Sequence, residues 1–380
     1  MTTPATLVLA DGTIFKGVAI GKEGQTIGRV IFNTAMIGYE AILTDPATAG
    51  SLVAFTYPHI GNSGMNNVDA ESDRVQVAGL IIRDLPLLAS NFRSISGLEE
   101  ALRRQGIIGI AGIDTRRLTR HLRTHGTQMG AIVSGDMNDS HKVVADIAEA
   151  IKVEETTNWV QKVSCDAPYE WTEGQWHLGL GVDHIKPSEN APHVVVLDFG
   201  VKRNQLRDLV EKGFRVTVVP ANSRVDTILA LKPTGVFLSS GPSHQAPSLA
   251  LIDPLLIETV QALLTREIPL FAIGFGYQLL GLALGAKIQP LRVGHHGVNH
   301  PVKSLISGDI MMTPQCQDAV IAPENLPESI TVTHRSLLDG SIQGIRLDRE
   351  DRVSVYGFQA SPEGDANGLF DDFITALTTK

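Results

Sequence analysis

Three short segments in the second half of the chain have the composition of strand-end turns that carry chemistry: Leu238–Ser243 (LSSGPS), Ala272–Gln278 (AIGFGYQ) and Gln359–Glu363 (QASPE). Each follows an apolar run of strand length, and the second opens a helix, so Gly274 stands at a strand-to-helix turn. A nucleophile on such a turn would need a base to activate it, a group to orient that base, and backbone N–H donors for an oxyanion. The chain has 2 cysteines, Cys165 and Cys316, far apart and outside any CxxC. That spacing suggests neither a disulfide framework nor a zinc site, and it leaves one reactive thiol open. Gly274 and Gly276 also read as plain turn glycines. The G-x-G is a poor dinucleotide fingerprint, because the third glycine position is Leu279 and no acidic residue follows about 20 positions later. His295, His296 and His300 could suggest a metal cluster, but structural or pocket-lining roles fit better and no metal is expected. Arg116, Arg117, Arg120 and Arg123 read as the solvated or subunit-facing side of a helix.

The elements around these turns come in two styles. Up to about residue 150 the pattern is β-rich: TLVLADGTIFKGVAIG alternates about Asp11-Gly12, a hairpin signal, and helical periodicity enters in GLEEALRRQG and DTRRLTRHLRTHG. Asp114 or Thr115 can cap the latter helix. Residues 151–190 are polar and contain proline, and read as a connector. From 191 to 380 continuous apolar strands alternate with amphipathic helices, starting with HVVVLDFG, VKRNQLRDLVEKG and FRVTVVP. Such a pattern implies an α/β unit with a doubly wound, mostly parallel sheet covered on both faces and a site at the carboxyl ends of the strands. GLFDDFITALTTK should close the chain as a helix.

Composition sets the outer limits. With 380 residues, 43% apolar and 19% charged, the chain is long enough for two packed domains and too apolar to stay disordered. A formal net charge of −9 argues against nucleic-acid or anionic-membrane partners. No run approaches a membrane span and the N-terminus has no signal-peptide pattern, so a cytoplasmic location is expected.

The elbow IPLFAIGFGYQLLGLALGAK resembles the nucleophile elbow of class I glutamine amidotransferases, where G-I-C-x-G-H-Q places a cysteine on the turn, and QASPE resembles their Q-G-H-P-E. FNTAMIGYEAILTDP, TYPHIGN, IRDLP, ASNFR, IDTRRLTRHLR, VLDFGVKRN, HHGVNHPVK and THRSLLDGSIQGI extend the resemblance, end to end, to the carbamoyl-phosphate synthetase small subunit. The resemblance implies a family N-terminal domain over 1–150, a connector over 151–190 and an amidotransferase-like domain over 191–380. It implies glutamine hydrolysis, ammonia passed to a large ATP-using subunit, and carbamoyl phosphate made for pyrimidines and arginine. No cofactor is implied for this chain, because ATP and Mg belong to the large subunit.

Against that pattern, Gly274 stands at the nucleophile position and Ser361 at the base, while Glu363 keeps the orienting carboxylate. Ala47, Gly241, Ser243, Phe275, Gln278, Cys316, Asp318 and Ala319 occupy the glutamine-pocket positions, of which Gly241 and Gln278 follow the family and Ala47, Ser243, Cys316, Asp318 and Ala319 depart from it. Phe275 follows the nucleophile position, where the backbone N–H would serve an oxyanion hole. These departures gather on the pocket while scaffold motifs hundreds of residues away keep the family pattern. The expected function is a glutaminase-deficient small subunit acting as a structural or regulatory partner of the large subunit, with glutamine binding doubtful. Two alternatives are a stand-alone ligand-binding pseudoenzyme that uses Ser243, His244, Asp318, Ser361 and Glu363, and a glutaminase that works through Cys316.

Overall fold

The computed structural model describes residues 3–135, 139–188, 190–245, 252–266, 268–324, 326–349, 352–360, 373–374 and 377. The chain divides into two compact units, one of Met1–Thr157 with Arg292–Gly297, the other of Asn158–Leu291 with Val298–Lys380.

The first unit is built on seven strands: β1 (Pro4–Leu9), β2 (Ile14–Gly21), β3 (Gln25–Asn33), β4 (Ser51–Phe55), β5 (Gly79–Ile81), β6 (Ile108–Ala111) and β7 (Gln128–Ser134). They close into a barrel in the order β1-β2-β6-β5-β4-β3-β7, parallel from β3 through β6 and antiparallel elsewhere. Closure removes the exposed sheet edges that an open β-rich sheet would have. The Asp11-Gly12 hairpin forms as the alternation predicts, with Gly12 at φ 84° and its N–H bonded to the Leu9 carbonyl at 2.9 Å. One apolar cluster joins Leu7, Val30, Leu52, Ile110 and Ile132 from the barrel to Leu118 and Leu122 of the helix Thr115–His125. Asp114 caps that helix by accepting from the Arg117 N–H at 2.9 Å, and Arg116, Arg117, Arg120 and Arg123 all face solvent.

The sheet of the second unit uses β8 (Tyr169–Trp171), and a separate two-stranded ribbon uses β9 (Glu173–His177) and β10 (Gly181–His184). Then come β11 (His193–Asp198), β12 (Arg215–Pro220), β13 (Gly235–Leu238), β14 (Leu270–Ile273), β15 (Ile288–Ser304), β16 (Ile310–Ile321), β17 (Thr331–Ser336), β18 (Ile342–Arg349) and β19 (Arg352–Phe358). The ten-stranded order is β16-β15-β17-β18-β19-β14-β13-β11-β12-β8. The stretch β12-β11-β13-β14-β19 is parallel, and β18, β17 and β8 pair antiparallel on either side. Every residue of β11, β13 and β14 is buried, as a sheet covered on both faces requires. The helix Arg203–Glu211 packs in the cluster on one side, and the helices Pro254–Thr265 and Phe275–Ala283 pack in the other.

The connector expectation is corrected here. Residues up to Thr157 continue the first unit through the helix Ser140–Glu154, and from Asn158 the chain already belongs to the second. Polarity misled because β8 is an edge strand with one face in solvent, while Trp171 and Cys165 still pack on the apolar cluster. The expected C-terminal helix lies almost entirely outside the described residues.

Glu40, in the helix Tyr39–Thr44, is buried, and its carboxylate accepts the Asn66 N–H at 2.9 and 2.7 Å. Burial pushes its pKa up from 4.5 to about 7, opposed by the Asn66 bonds. Between those values the folded chain holds a proton that the unfolded chain has released, so this contribution is full below about 4.5 and is lost as pH rises toward 7. We predict that Glu40→Gln flattens the fall in first-unit stability between pH 5 and 8, read as denaturant midpoints at each pH; equal slopes in both chains would refute it.

Candidate functional site

Strands β13, β14 and β19 are neighbours in the sheet although β14 and β19 are separated by some eighty residues of chain, so the turns after their carboxyl ends converge. The backbone ties them together: the Gly274 N–H donates to the Phe358 carbonyl at 3.1 Å and the Gly276 N–H to the Ser239 carbonyl at 3.0 Å. The Gln359 N–H donates to the Gln343 carbonyl at 2.8 Å. Gly274 has φ 56° and ψ −117°, a conformation L side chains rarely adopt, and the helix Phe275–Ala283 starts directly after it. A Cβ added there would lie 3.1 Å from the Ser240 Cβ, so the turn carries no side chain but has little spare room. Gly276 is needed for a different reason. A Cβ there would stand 2.5 Å from the Leu238 carbonyl oxygen, a backbone atom that cannot swing aside.

Side chains around the turn are amides, hydroxyls and rings. Phe275 is buried with its ring edge-on to Phe199 at 5.5 Å. Gln278, fully buried, donates through Nε2 to the Ala319 carbonyl at 2.8 Å and to Gln359 Oε1 at 3.2 Å. Gln205 donates to the Ser240 hydroxyl at 2.9 Å. Gly241 packs so closely on Phe199 that a Cβ would meet its carbonyl oxygen at 2.2 Å. Ser243 is buried and its Oγ accepts the Asp318 N–H at 3.1 Å. These groups bind and orient by hydrogen bonding; they supply neither thiolate nor imidazole.

Of the residues singled out from sequence, Gly241, Ser243, Gly274, Phe275, Gln278, Asp318 and Ala319 belong to this one network of turns. Cys316 lies two residues upstream on β16 and is half-buried. Ala47 belongs to the first unit, in the turn Pro46–Thr48, with its N–H bonded to Asp45 Oδ1 at 2.8 Å. Ser361 and Glu363 lie outside the described residues. His244 stands edge-on to Trp159 at 6.4 Å, and His295, His296 and His300 are carried on β15.

Cys165 is half-buried, and burial together with the charge of Asp198 pushes its thiol up to about 12, which makes it unreactive near neutral pH. Sequence reasoning missed Gln205, and it assigned no role to Ser240 and Gln359 within the turns it singled out; their partners come from distant segments. It also missed Asp198, which accepts from the N–H groups of Cys165, Gly200 and Val201 at 2.7, 2.9 and 2.8 Å. The available signal was an acidic residue directly after the apolar run Val194–Leu197. His334, buried edge-on to Phe358 at 5.0 Å, has its pKa lowered by burial to about 4 and is neutral at pH 7.

The two elbow glycines should respond differently to a methyl group. Gly274→Ala should cost roughly 1–3 kcal/mol from its backbone conformation, whereas Gly276→Ala, forced against backbone, should cost more. Urea midpoints of the two variants check the order; Gly276→Ala unfolding no earlier than Gly274→Ala would contradict it.

Comparison with known proteins places this geometry. Residues 7–132 match the family model for the carbamoyl-phosphate synthase small chain, CPSase domain, and residues 195–373 match that for class I glutamine amidotransferases. The carbamoyl phosphate synthase small chain of Halomonas eurihalina is 46% identical over 385 residues, covering 99% of both chains. That of Pseudomonas syringae pv. tomato is 47% identical and covers 100% of both, and that of Vibrio cholerae is 46% identical over 99% of both. With both family models matched in order and identity near one half from end to end, the chain belongs to the carbamoyl-phosphate synthase small-chain family.

Proposed function

We propose that this chain is a carbamoyl-phosphate synthetase small subunit that does not hydrolyse glutamine and acts as a structural or regulatory partner of the large ATP-using subunit. The observation that carries the reading is Gly274: the turn on which the family pattern places its nucleophilic cysteine ends in a residue with no side chain. Ser361 at the base position argues the same way from sequence, since a hydroxyl cannot act as a base near neutral pH. Loss of a nucleophile or its base costs on the order of 10⁶ in kcat in a serine hydrolase, so Glu363 and backbone donors alone would leave negligible turnover. Cys316 is a poor substitute, being carried on β16 and not on the turn that opens the helix.

Support for docking comes from the first unit. Leu87, Leu88, Phe92 and Ile95 are 100%, 83%, 81% and 66% exposed, an apolar display that a partner would cover. We assign that cover to the large subunit. ATP and Mg would be held there, with no cofactor in this chain, and the pair would work in the cytoplasm on ammonia for carbamoyl phosphate synthesis. Among the described residues no helix is long and apolar enough to cross a membrane.

Two measurements test this. Glutamine should release no ammonia with the chain alone, with the large subunit, or with Gly274→Cys, because the base position is also changed; release that disappears in Cys316→Ala would overturn the reading. The chain should co-purify with the large subunit, and Leu88→Asp with Phe92→Asp should weaken the complex at least tenfold, measured by light scattering or titration. Absence of any complex for the unmodified chain would defeat the partner role.

A further inference from the structure

At the centre of the elbow network, two consecutive residues of β16 are held from opposite sides. The Asp318 N–H donates to Ser243 Oγ at 3.1 Å, from the turn that follows β13. The next carbonyl, of Ala319, accepts Gln278 Nε2 at 2.8 Å, from the helix that follows Gly274. Ser243, Asp318, Ala319 and Gln278 are 2%, 8%, 0% and 0% exposed, so both bonds are made away from water. The turn after β13 and the helix after Gly274 are thus both bonded to β16. The bond to Asp318 depends on a side-chain hydroxyl at position 243. The resembled turn has glycine at this place, and glycine has no such acceptor.

We propose that Ser243 is a latch: its hydroxyl joins the turn after β13 to β16 beside the Gly274 elbow and, by holding the two together, excludes an amino acid from this edge whatever residue stands at 274. The inference rests on the second unit having the class I amidotransferase fold, and not on the partner role or on the loss of hydrolysis. Ser243 thereby becomes a specificity-determining residue. Removing its hydroxyl takes an acceptor away from a buried N–H donor and loosens β16 from the turn.

The experiment uses the full chain with Gly274→Cys as an access reporter, alkylated by iodoacetamide and read peptide by peptide so that Cys165 and Cys316 are scored separately. Labelling at position 274 should be slow, and Ser243→Ala or Ser243→Gly in the same background should accelerate it by about tenfold, the factor expected for losing one buried hydrogen bond. Rapid labelling with Ser243 intact, or one rate in all three chains, would overturn the latch. A second measurement keeps the test decisive if Gly274→Cys folds poorly. Hydrogen exchange at the Asp318 amide should quicken by a similar factor in Ser243→Ala alone, with the thermal midpoint reporting global stability, and unchanged protection would refute the proposal. Neither readout involves ammonia release or the large subunit, so the latch can fail while the proposed function stands, and the reverse.

Discussion

The approach of the Gly276 backbone to the carbonyl of Leu238 is the constraint on which the second unit's site depends. An added Cβ would sit 2.5 Å from that oxygen, so the helix Phe275–Ala283 can start where it does only with glycine there. The close packing lets the Gly276 N–H bond Ser239 and the Gly274 N–H bond Phe358, which binds the ends of β13, β14 and β19 into one rigid edge. The elbow thus keeps its geometry with a residue that has no side chain at its turn. A glycine at 274 relieves the strain that a side chain would feel at φ 56°.

The apolar cores of the two units are built from residues other than Ser243, Gly274 and Asp318. The barrel of the first unit is stabilised by burial of Leu7, Val30, Leu52 and their neighbours, and the sheet of the second by apolar clusters on both faces. Neither draws on residues at 243, 274 or 318. Polar side chains at the sheet edge are tolerated because they find partners there: Ser243 with the Asp318 N–H, Gln205 with Ser240, Gln278 with Gln359. An unpartnered hydroxyl or amide in the same place would have cost stability.

Much of the architecture was legible because periodicity reports burial directly. The apolar runs of β11 to β14, the hairpin at Asp11-Gly12 and the cap at Asp114 follow from local chemistry, and each formed where the pattern put it. Barrel closure was not legible, because pairing of β1 with β7 and β3 with β7 joins strands far apart in sequence. The connector was misread for the converse reason: an edge strand such as β8 is paired on one side only and exposes a polar face, so it has the composition of a loop. In the site, Gly274, Gln278 and Ser243 stood out from the sequence, while Gln205 did not and Ser240 and Gln359 were read only as parts of turns, since a buried glutamine or serine is defined by its partner and not by its neighbours in the chain.

By itself, the sequence determined which side chains exist at the turns: a glycine at 274, a serine at 243, and two cysteines placed elsewhere. Those are facts of composition and position, and no folding can alter them. Only the tertiary structure decided what the substitutions do to one another. Ser243 and Asp318 lie 75 residues apart, and their hydrogen bond exists because parallel pairing sets β13 beside β14 and the chain then returns through β16 to the same edge. A hydrogen bond is short-ranged and directional, so its partner is chosen by the fold that brings two groups within about 3 Å, a distance on which sequence order is silent.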